Sequence, residues 1–519
     1  MAQALVETPS RGVKATNKDN QVVSKITGDS LISFISGAQT NIGRGTFYNL
    51  KEEQRQVMID QHLPLLEETR AFYTLMALPK GVNDVNKQLI AWNLINNTVR
   101  EDNLKPHEHS PTTKWENELI LQVFDNMQPN RVLDFALMLQ ERKVTKRRAI
   151  YLVHEWLGRN KGKWSLWAIK YRTPLKRLLR HFHTNKNSKL LQLWRYLKYD
   201  EHQNCEQIIQ DYIAVQGGDK EKLAKLPASV AEGFVQQFGM TKEEFWELFT
   251  TKGGKFTAKE KRTKSESVRK AGSSTKLEIE KLKLFDLLVY LNALDRLPKP
   301  EVEIAALIKK KAQEIAKKCS FSLDNVGVIL DTSKSMYGTK DQANHPLLRG
   351  LAVSHVLKEL SNGHKEYRTN EDTSLFPKLG DQSNYVDAVM KALKDGCETI
   401  ILIGDGYENA PFEGALHQLL YIYKKKLDKK NKLMVLHFNP VFAAEAGDVR
   451  SITDLAPQIG IREIEGMNEA MFLAIAKNRP QLAIKKYISH LAGLQNSKVK
   501  ALMPKSVKSL LTIKKVLGE

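Results

Sequence analysis

The segment Val326-Gly-Val-Ile-Leu-Asp-Thr-Ser-Lys-Ser-Met336 constrains this chain more than any other. Its first five residues are apolar or small, which predicts a strand buried on both faces, as in a parallel sheet covered by helices. The polar turn that follows opens at Asp331. Asp331, Ser333 and Ser335 alternate, so an extended exit from the strand points one carboxylate and two hydroxyls the same way above its C-terminal end. Oxygen-only ligands with few negative charges suit a hard cation such as Mg²⁺. The same residues also suit an Asx turn that merely closes a strand.

Two downstream stretches supply matching parts. Thr399-Ile-Ile-Leu-Ile-Gly-Asp405-Gly is a second apolar strand ending in an aspartate, and between the strands lies Leu379-Gly-Asp-Gln-Ser383-Asn, a hydroxyl-bearing loop opening an amphipathic helix at 385–394. This order of strand, Asp-x-Ser-x-Ser, helix, hydroxyl loop, helix, strand and Asp-Gly resembles the von Willebrand factor A domain with its metal-ion-dependent adhesion site. The resemblance implies a Mg²⁺ or similar divalent cation held by Asp331, Ser333, Ser335, Ser383 and Asp405, the serines directly and the aspartates through water. Position 383 carries serine where that family usually has threonine, and Thr373 is the alternative hydroxyl.

Around this core the chain is long enough, at 519 residues, for two or more domains. From 46 to about 293 apolar residues recur at three- and four-residue intervals with short polar breaks, which predicts helices at 63–78, 83–99, 115–127, 132–140, 146–157, 164–181 and 189–199. Successive helices with short connections suggest a helical-repeat solenoid, with a plain bundle as the alternative. Two further helices are expected at 282–294 and 301–319, and βα alternation resumes after 322 with helices at 345–360 and 413–427 and a strand at 432–437. A last strand near 459, helices at 468–476 and 481–494, and a Lys-rich tail complete the reading. Residues 1–45, polar and without an apolar run, read as a mobile arm and not as a signal peptide. The glycines and serines of 253–274 mark a basic flexible linker, with a second RNA contact as the alternative reading.

Charge narrows the function. The chain holds 80 Lys and Arg against 59 Asp and Glu, a formal charge of +21, which favours a polyanionic partner. The excess is concentrated: residues 142–198 contain seventeen Lys and Arg and one acid, Glu155. Like charges at helical spacing repel, and a bound polyanion relieves that repulsion. Interleaved with them are Tyr151, Trp156, Trp164, Trp167, Tyr171, His181, His183, Trp194 and Tyr196, a mixture that grips single-stranded nucleic acid by phosphate pairing and base stacking where the rings are not core. The candidate RNA-binding set is Arg142, Lys143, Lys146, Arg147, Arg148, Lys170, Arg172, Lys176, Arg177, Arg180, His181 and His183. No apolar run is long enough to span a bilayer, and three scattered cysteines give neither a zinc pattern nor a disulfide framework, so the expected home is a reducing cytoplasm, away from membranes.

A basic helical region carrying Lys170-Tyr-Arg-Thr-Pro-Leu-Lys-Arg-Leu-Leu-Arg-His-Phe-His183, then Gly254-Lys-Phe-Thr-Ala-Lys-Glu, then Asp286-Leu-Leu-Val-Tyr-Leu-Asn-Ala-Leu294, then the Asp-x-Ser-x-Ser domain, resembles the TROVE-domain family, and within it the Ro ribonucleoproteins. Asp405-Gly departs from the Asp-Asn of animal Ro proteins. The resemblance implies a HEAT-like helical solenoid or ring at 46–320, a von Willebrand factor A-type α/β domain with a parallel sheet at 321–480, and a C-terminal helix and basic tail at 481–519. It also implies binding of small noncoding RNA or of misfolded single-stranded RNA. The second reading is a protein-interaction scaffold whose metal captures acidic groups of a partner, for instance an RNA-processing protein. An enzyme is not expected: G-x-x-x-x-G-K-[ST], H-E-x-x-H and G-x-S-x-G are absent, and His154-Glu155 lacks a second histidine.

Overall fold

A strand can bury both faces only inside a sheet with helices on either side, and this is how the apolar runs are used. The computed structural model describes residues 34–35, 62–67, 69–97, 110–144, 146–181, 188–255, 279–294, 296–319, 321–338, 343–370, 372–430, 432–440, 452–456, 458–461, 464–476, 480–505 and 507–508. The chain divides into two units, one of residues 1–120 and 283–519, the other of 121–282.

In the first unit five strands, β1 (Leu323–Leu330), β2 (Ser361–Arg368), β3 (Thr399–Ile403), β4 (Met434–Asn439) and β5 (Gln458–Gly460), form one parallel sheet in the order β2-β1-β3-β4-β5. The register sets Leu330 beside Ile403 and Ile403 beside Phe438, so β1, β3 and β4 end level with one another. One face, with Ile329, Ile400, Leu402 and Val435, packs against Val389 and Ala392 of the helix Tyr385–Lys394 and Leu416 and Leu420 of the helix Ala415–Lys426. The other face meets the helix His345–Leu360, and a Cβ at Gly350 would lie 2.7 Å from Leu330 Cδ1 and 3.2 Å from Ile403 Cγ2. That glycine lets helix and sheet approach closely. Because β2 and β3 flank β1 on opposite sides, the strand order reverses at β1, and a crevice opens at the C-terminal ends of β1 and β3.

The helices of this unit also tie distant stretches of sequence together. Trp115 Nε1 donates to Gln495 Oε1 at 3.2 Å, and Lys498 pairs with the buried Glu118 at 3.0 Å. In the second unit the core is aromatic. Trp156 stacks on Trp167 with centroids 4.8 Å apart, Trp164 Nε1 donates to the Leu157 carbonyl at 2.9 Å, and Phe245, Trp246 and Phe249 are buried together. Thr241 and Glu244 form a reciprocal capping box at the start of the helix Lys242–Thr251.

Most expected elements are present, but the helix expected at 63–78 is interrupted at Thr69 and its second part ends at Leu75, and the helices Gln207–Gln216 and Lys242–Thr251 are not among those individually expected. Two further differences are instructive. The helix expected at 164–181 is two, Trp164–Lys170 and Arg172–His181, broken at Tyr171. Pro174 explains the break, since its ring clashes with the carbonyl four residues back and it has no N–H to donate. β2 is absent from the sequence reading, because Ser-Asn-Gly-His-Lys-Glu-Tyr-Arg carries almost no apolar signal. It lies at the sheet edge, where one neighbour, β1, provides its pairing. The expected arm at 1–45, apart from 34–35, and most of the basic linker and the end of the tail lie outside the described residues.

Candidate functional sites: a carboxylate and hydroxyl crevice and a basic helical face

The crevice is built by the turns that leave β1 and β3. Asp331 N donates to the Ile403 carbonyl at 2.8 Å, which anchors the start of the Asp-x-Ser-x-Ser turn to β3. Gly380 N donates to the Thr332 carbonyl at 2.8 Å, and Lys334 N donates to the Gly380 carbonyl at 2.9 Å. Asp331 is wholly buried. Its Oδ1 accepts from Ser333 N at 2.9 Å and from Thr369 Oγ1 at 3.3 Å, and its Oδ2 accepts from the Tyr385 hydroxyl at 2.8 Å. Ser333 and Ser335 hydroxyls lie 2.8 Å apart, the first residue buried and the second at the surface. Asp405 is buried at the end of the turn after β3 and accepts from Tyr407 N at 2.9 Å. The buried Ser383 hydroxyl lies 3.1 Å from Asn409 Oδ1 and 3.2 Å from the Tyr407 carbonyl, which fastens its loop to the Asp405 turn. Thr373, the alternative hydroxyl, is exposed.

Burial, and then the charge of Asp405, push the Asp331 carboxyl up to about 6. Two buried carboxylates that repel one another are what a divalent cation would reconcile. With three donors on it, Asp331 is oriented from all sides, which suits a carboxylate holding an ion through water. Among the described residues no group of three or more His, Cys, Asp or Glu is placed to hold a metal, so any ion here depends on the serine hydroxyls.

Sequence reasoning missed four contributors. Tyr385 and Thr369 fix the Asp331 carboxylate, Asn409 fixes Ser383, and Gly404 leaves them room: a Cβ there would lie 1.9 Å from the Tyr385 hydroxyl and 2.9 Å from Asp331 Cβ. Only the glycine before Asp405 gave a local signal.

The basic face lies in the second unit. Lys143, Lys146, Arg147, Lys170, Lys176, Arg177 and Arg180 are exposed, Arg142, Arg172 and His181 are half-buried, and Arg148 is buried. Arg172 pairs with Asp200 at 2.5 Å and sits 4.7 Å above the Tyr196 ring, while Arg177 pairs with Glu141 at 3.1 Å. Among the described residues no carboxylate is paired with Lys143, Arg147, Lys176 or Arg180, nor with Lys161 or Arg195 nearby. Desolvation, and then the neighbouring Arg148, hold the Lys146 ammonium below its usual value. The helix Arg172–His181 shows how the face arises: Leu175, Leu178 and Leu179 are buried, which leaves Lys176, Arg177 and Arg180 on the outer side. Trp156, Trp164, Trp167 and Tyr196 belong to the core, Tyr171 and Trp194 are half-buried, and Tyr151 is exposed. Lys198 lies 5.5 Å from the Trp194 ring and 4.6 Å from that of the exposed Tyr199. His183 lies outside the described residues.

No helix among the described residues is long and apolar enough to cross a membrane. No family model and no curated protein matches the chain. Among solved structures the chain is similar to the Ro (RSR) protein of Deinococcus radiodurans, at 11% identity and a TM-score of 0.42, over 89% of this chain and 94% of that one.

Proposed function

We propose that the chain is an RNA-binding protein of the Ro type, which holds small noncoding or single-stranded RNA on the basic face of its helical-repeat region. The observation that carries this reading is the set of exposed cations in residues 142–198, among them Lys143, Arg147, Lys176 and Arg180, that no carboxylate of the described residues neutralises. Phosphates are the partner chemistry that pairs with many cations at once, and the exposed rings of Tyr151 and Tyr199 offer faces on which bases would stack. The test is the salt dependence of RNA binding. Removing the cation that neutralises one phosphate of a single strand lowers the slope of log affinity against log salt by roughly 0.7. Replacing Lys170, Lys176 and Arg180 with Gln is expected to lower it by about 2 and to weaken binding at every salt concentration. An unchanged slope and affinity overturn the assignment of this face.

The α/β part is proposed to be a von Willebrand factor A-type domain whose crevice takes one Mg²⁺. Ser333, Ser335 and Ser383 would supply hydroxyl ligands, Asp331 and Asp405 would hold the ion through water, and the ion would offer a coordination position to an acidic group of a protein partner. What supports this is the all-oxygen donor set and the repulsion between its two buried carboxylates. Calorimetric titration with MgCl₂ tests it: one ion per chain is expected, and no uptake at millimolar concentration refutes the site.

A further inference from the structure

The crevice occupies the C-terminal ends of the strands, and the opposite end of the same sheet carries an unassigned feature. The run Lys424-Lys-Lys-Leu-Asp-Lys-Lys-Asn-Lys432 closes the helix Ala415–Lys426 and leads into β4, with six lysines in nine residues. Lys425, Lys426, Lys429, Lys430 and Lys432 are all exposed, and none is ion-paired among the described residues. The one acid in the run, Asp428, directs its oxygens inward, accepting from Lys432 N and Leu433 N at 2.8 Å each. Lysines in the last turn of a helix are favourable against its dipole, which accounts for the first three. It does not account for Lys429, Lys430 and Lys432, which lie beyond the helix.

Topology adds to the patch. The helices Tyr385–Lys394 and Ala415–Lys426 lie side by side on one face of the sheet, each returning the chain to the start of the next parallel strand, so both end at the same edge. The first contributes Lys391 and Lys394, without an ion pair among the described residues. Beside the lysines Tyr421 is half exposed at 50%, with Lys425 Nζ 5.4 Å from its ring and 3.3 Å from its hydroxyl, and His417 stacked on it at 6.5 Å. Its ring therefore stands between His417 and Lys425. The same pairing of lysine and exposed ring occurs at Lys198 and Tyr199 on the basic helical face.

We infer that the edge formed by the lysine run, Lys391, Lys394 and Tyr421 is a second RNA-binding surface, on the α/β domain and at the end of its sheet opposite the crevice. Its lysines pair with phosphates and Tyr421 stacks on a base, so its contribution is salt-sensitive and indifferent to sequence. The choice of RNA as the polyanion rests on the proposed function. The adjacent exposed Ile422 and Leu427 make an anionic lipid surface the competing occupant.

The experiment uses the full chain with Lys425, Lys426, Lys429, Lys430 and Lys432 all replaced by Gln, titrated by fluorescence anisotropy with labelled single-stranded RNA across a range of NaCl. The helical variant described above is run beside it. If three or more of the five touch phosphate, the slope of log affinity against log salt falls by about 2 or more, with a thermal midpoint of the free chain no lower than that of the unaltered protein. Tyr421→Ala is expected to weaken binding about fivefold or more without altering the slope. Wild-type slope and affinity in the lysine variant, with weakened binding in the helical variant, overturn this surface and leave the RNA-binding reading standing. Absence of RNA binding by the unaltered chain overturns both. Loss of binding to vesicles containing phosphatidylserine with RNA affinity intact also overturns it, in favour of the lipid surface.

Discussion

Gly404 does more for the crevice than any of its charged residues, because it decides whether the others fit. The Tyr385 hydroxyl occupies the space where a Cβ would stand, only 1.9 Å from it, and the Asp331 carboxylate is 3.1 Å away on the same side. Gly404→Ala therefore has to displace the hydroxyl that orients Asp331 Oδ2. The expected cost is about 1–3 kcal/mol, the usual range for overpacking a filled interior, read from denaturant unfolding. Mg²⁺ uptake should be lost with it, and a variant of wild-type stability that still takes up the ion would disprove the account. Asp331, Ser333 and Asp405 were legible as candidates because strand-ending aspartates and alternating hydroxyls are local patterns. Tyr385, Thr369 and Asn409 were not, because each acts across 54, 38 and 26 residues of sequence through a bond that only the folded sheet creates.

Some elements in this protein are fixed by a buried polar side chain as well as by an apolar stripe. His62 is the clearest case. Its Nε2 faces Asn86 Oδ1 in the helix Asp84–Asn96, and its Nδ1 faces the Tyr73 hydroxyl in the helix Arg70–Leu75, both at 2.8 Å. Asn93 Nδ2 donates to the same hydroxyl at 2.8 Å, so the hydroxyl donates to Nδ1 and the ring is neutral with its proton on Nε2. Burial, opposed by the Asn86 bond, lowers the His62 pKa to about 4 from 6.5. The unfolded chain then binds this proton first as pH falls. Stability from this group is complete above about 6.5 and is lost progressively down to about 4, a total on the order of 3 kcal/mol. Chemical unfolding followed from pH 7 to pH 4 should show that decline, flattened by about that amount in His62→Gln; parallel profiles for the two proteins would refute it. The hydrophobic period revealed these helices but not this polar clamp between them. The edge strand β2 escaped for a related reason. Its Glu366 is held by Ser354 of the covering helix and by Arg368, so polar bonds replace the apolar alternation that sequence reading depends on.

At the scale of the whole molecule, the formal charge of +21 sets two salt effects in opposite directions. Much of the excess is gathered in residues 142–198 and in the lysine run before β4, where cations far outnumber acids and repel one another. In the free chain that repulsion opposes folding, and salt screens it, with a Debye length of about 10 Å at 0.1 M. Raising NaCl from about 0.05 to about 0.5 M is therefore expected to raise the thermal midpoint of the free protein. In the proposed RNA complex the same cations would displace counterions from phosphates, so the same change in salt is expected to weaken RNA binding steeply. A protein whose cations served as ordinary solvated faces, paired with acids, would show the reverse in the first measurement, because its ion pairs would be screened and its midpoint would fall. Thermal unfolding across the salt series, with and without RNA, separates the two: midpoints that rise for the free chain and converge with those of the complex at high salt support a surface built for a polyanion, and a free-chain midpoint that falls with salt rejects it.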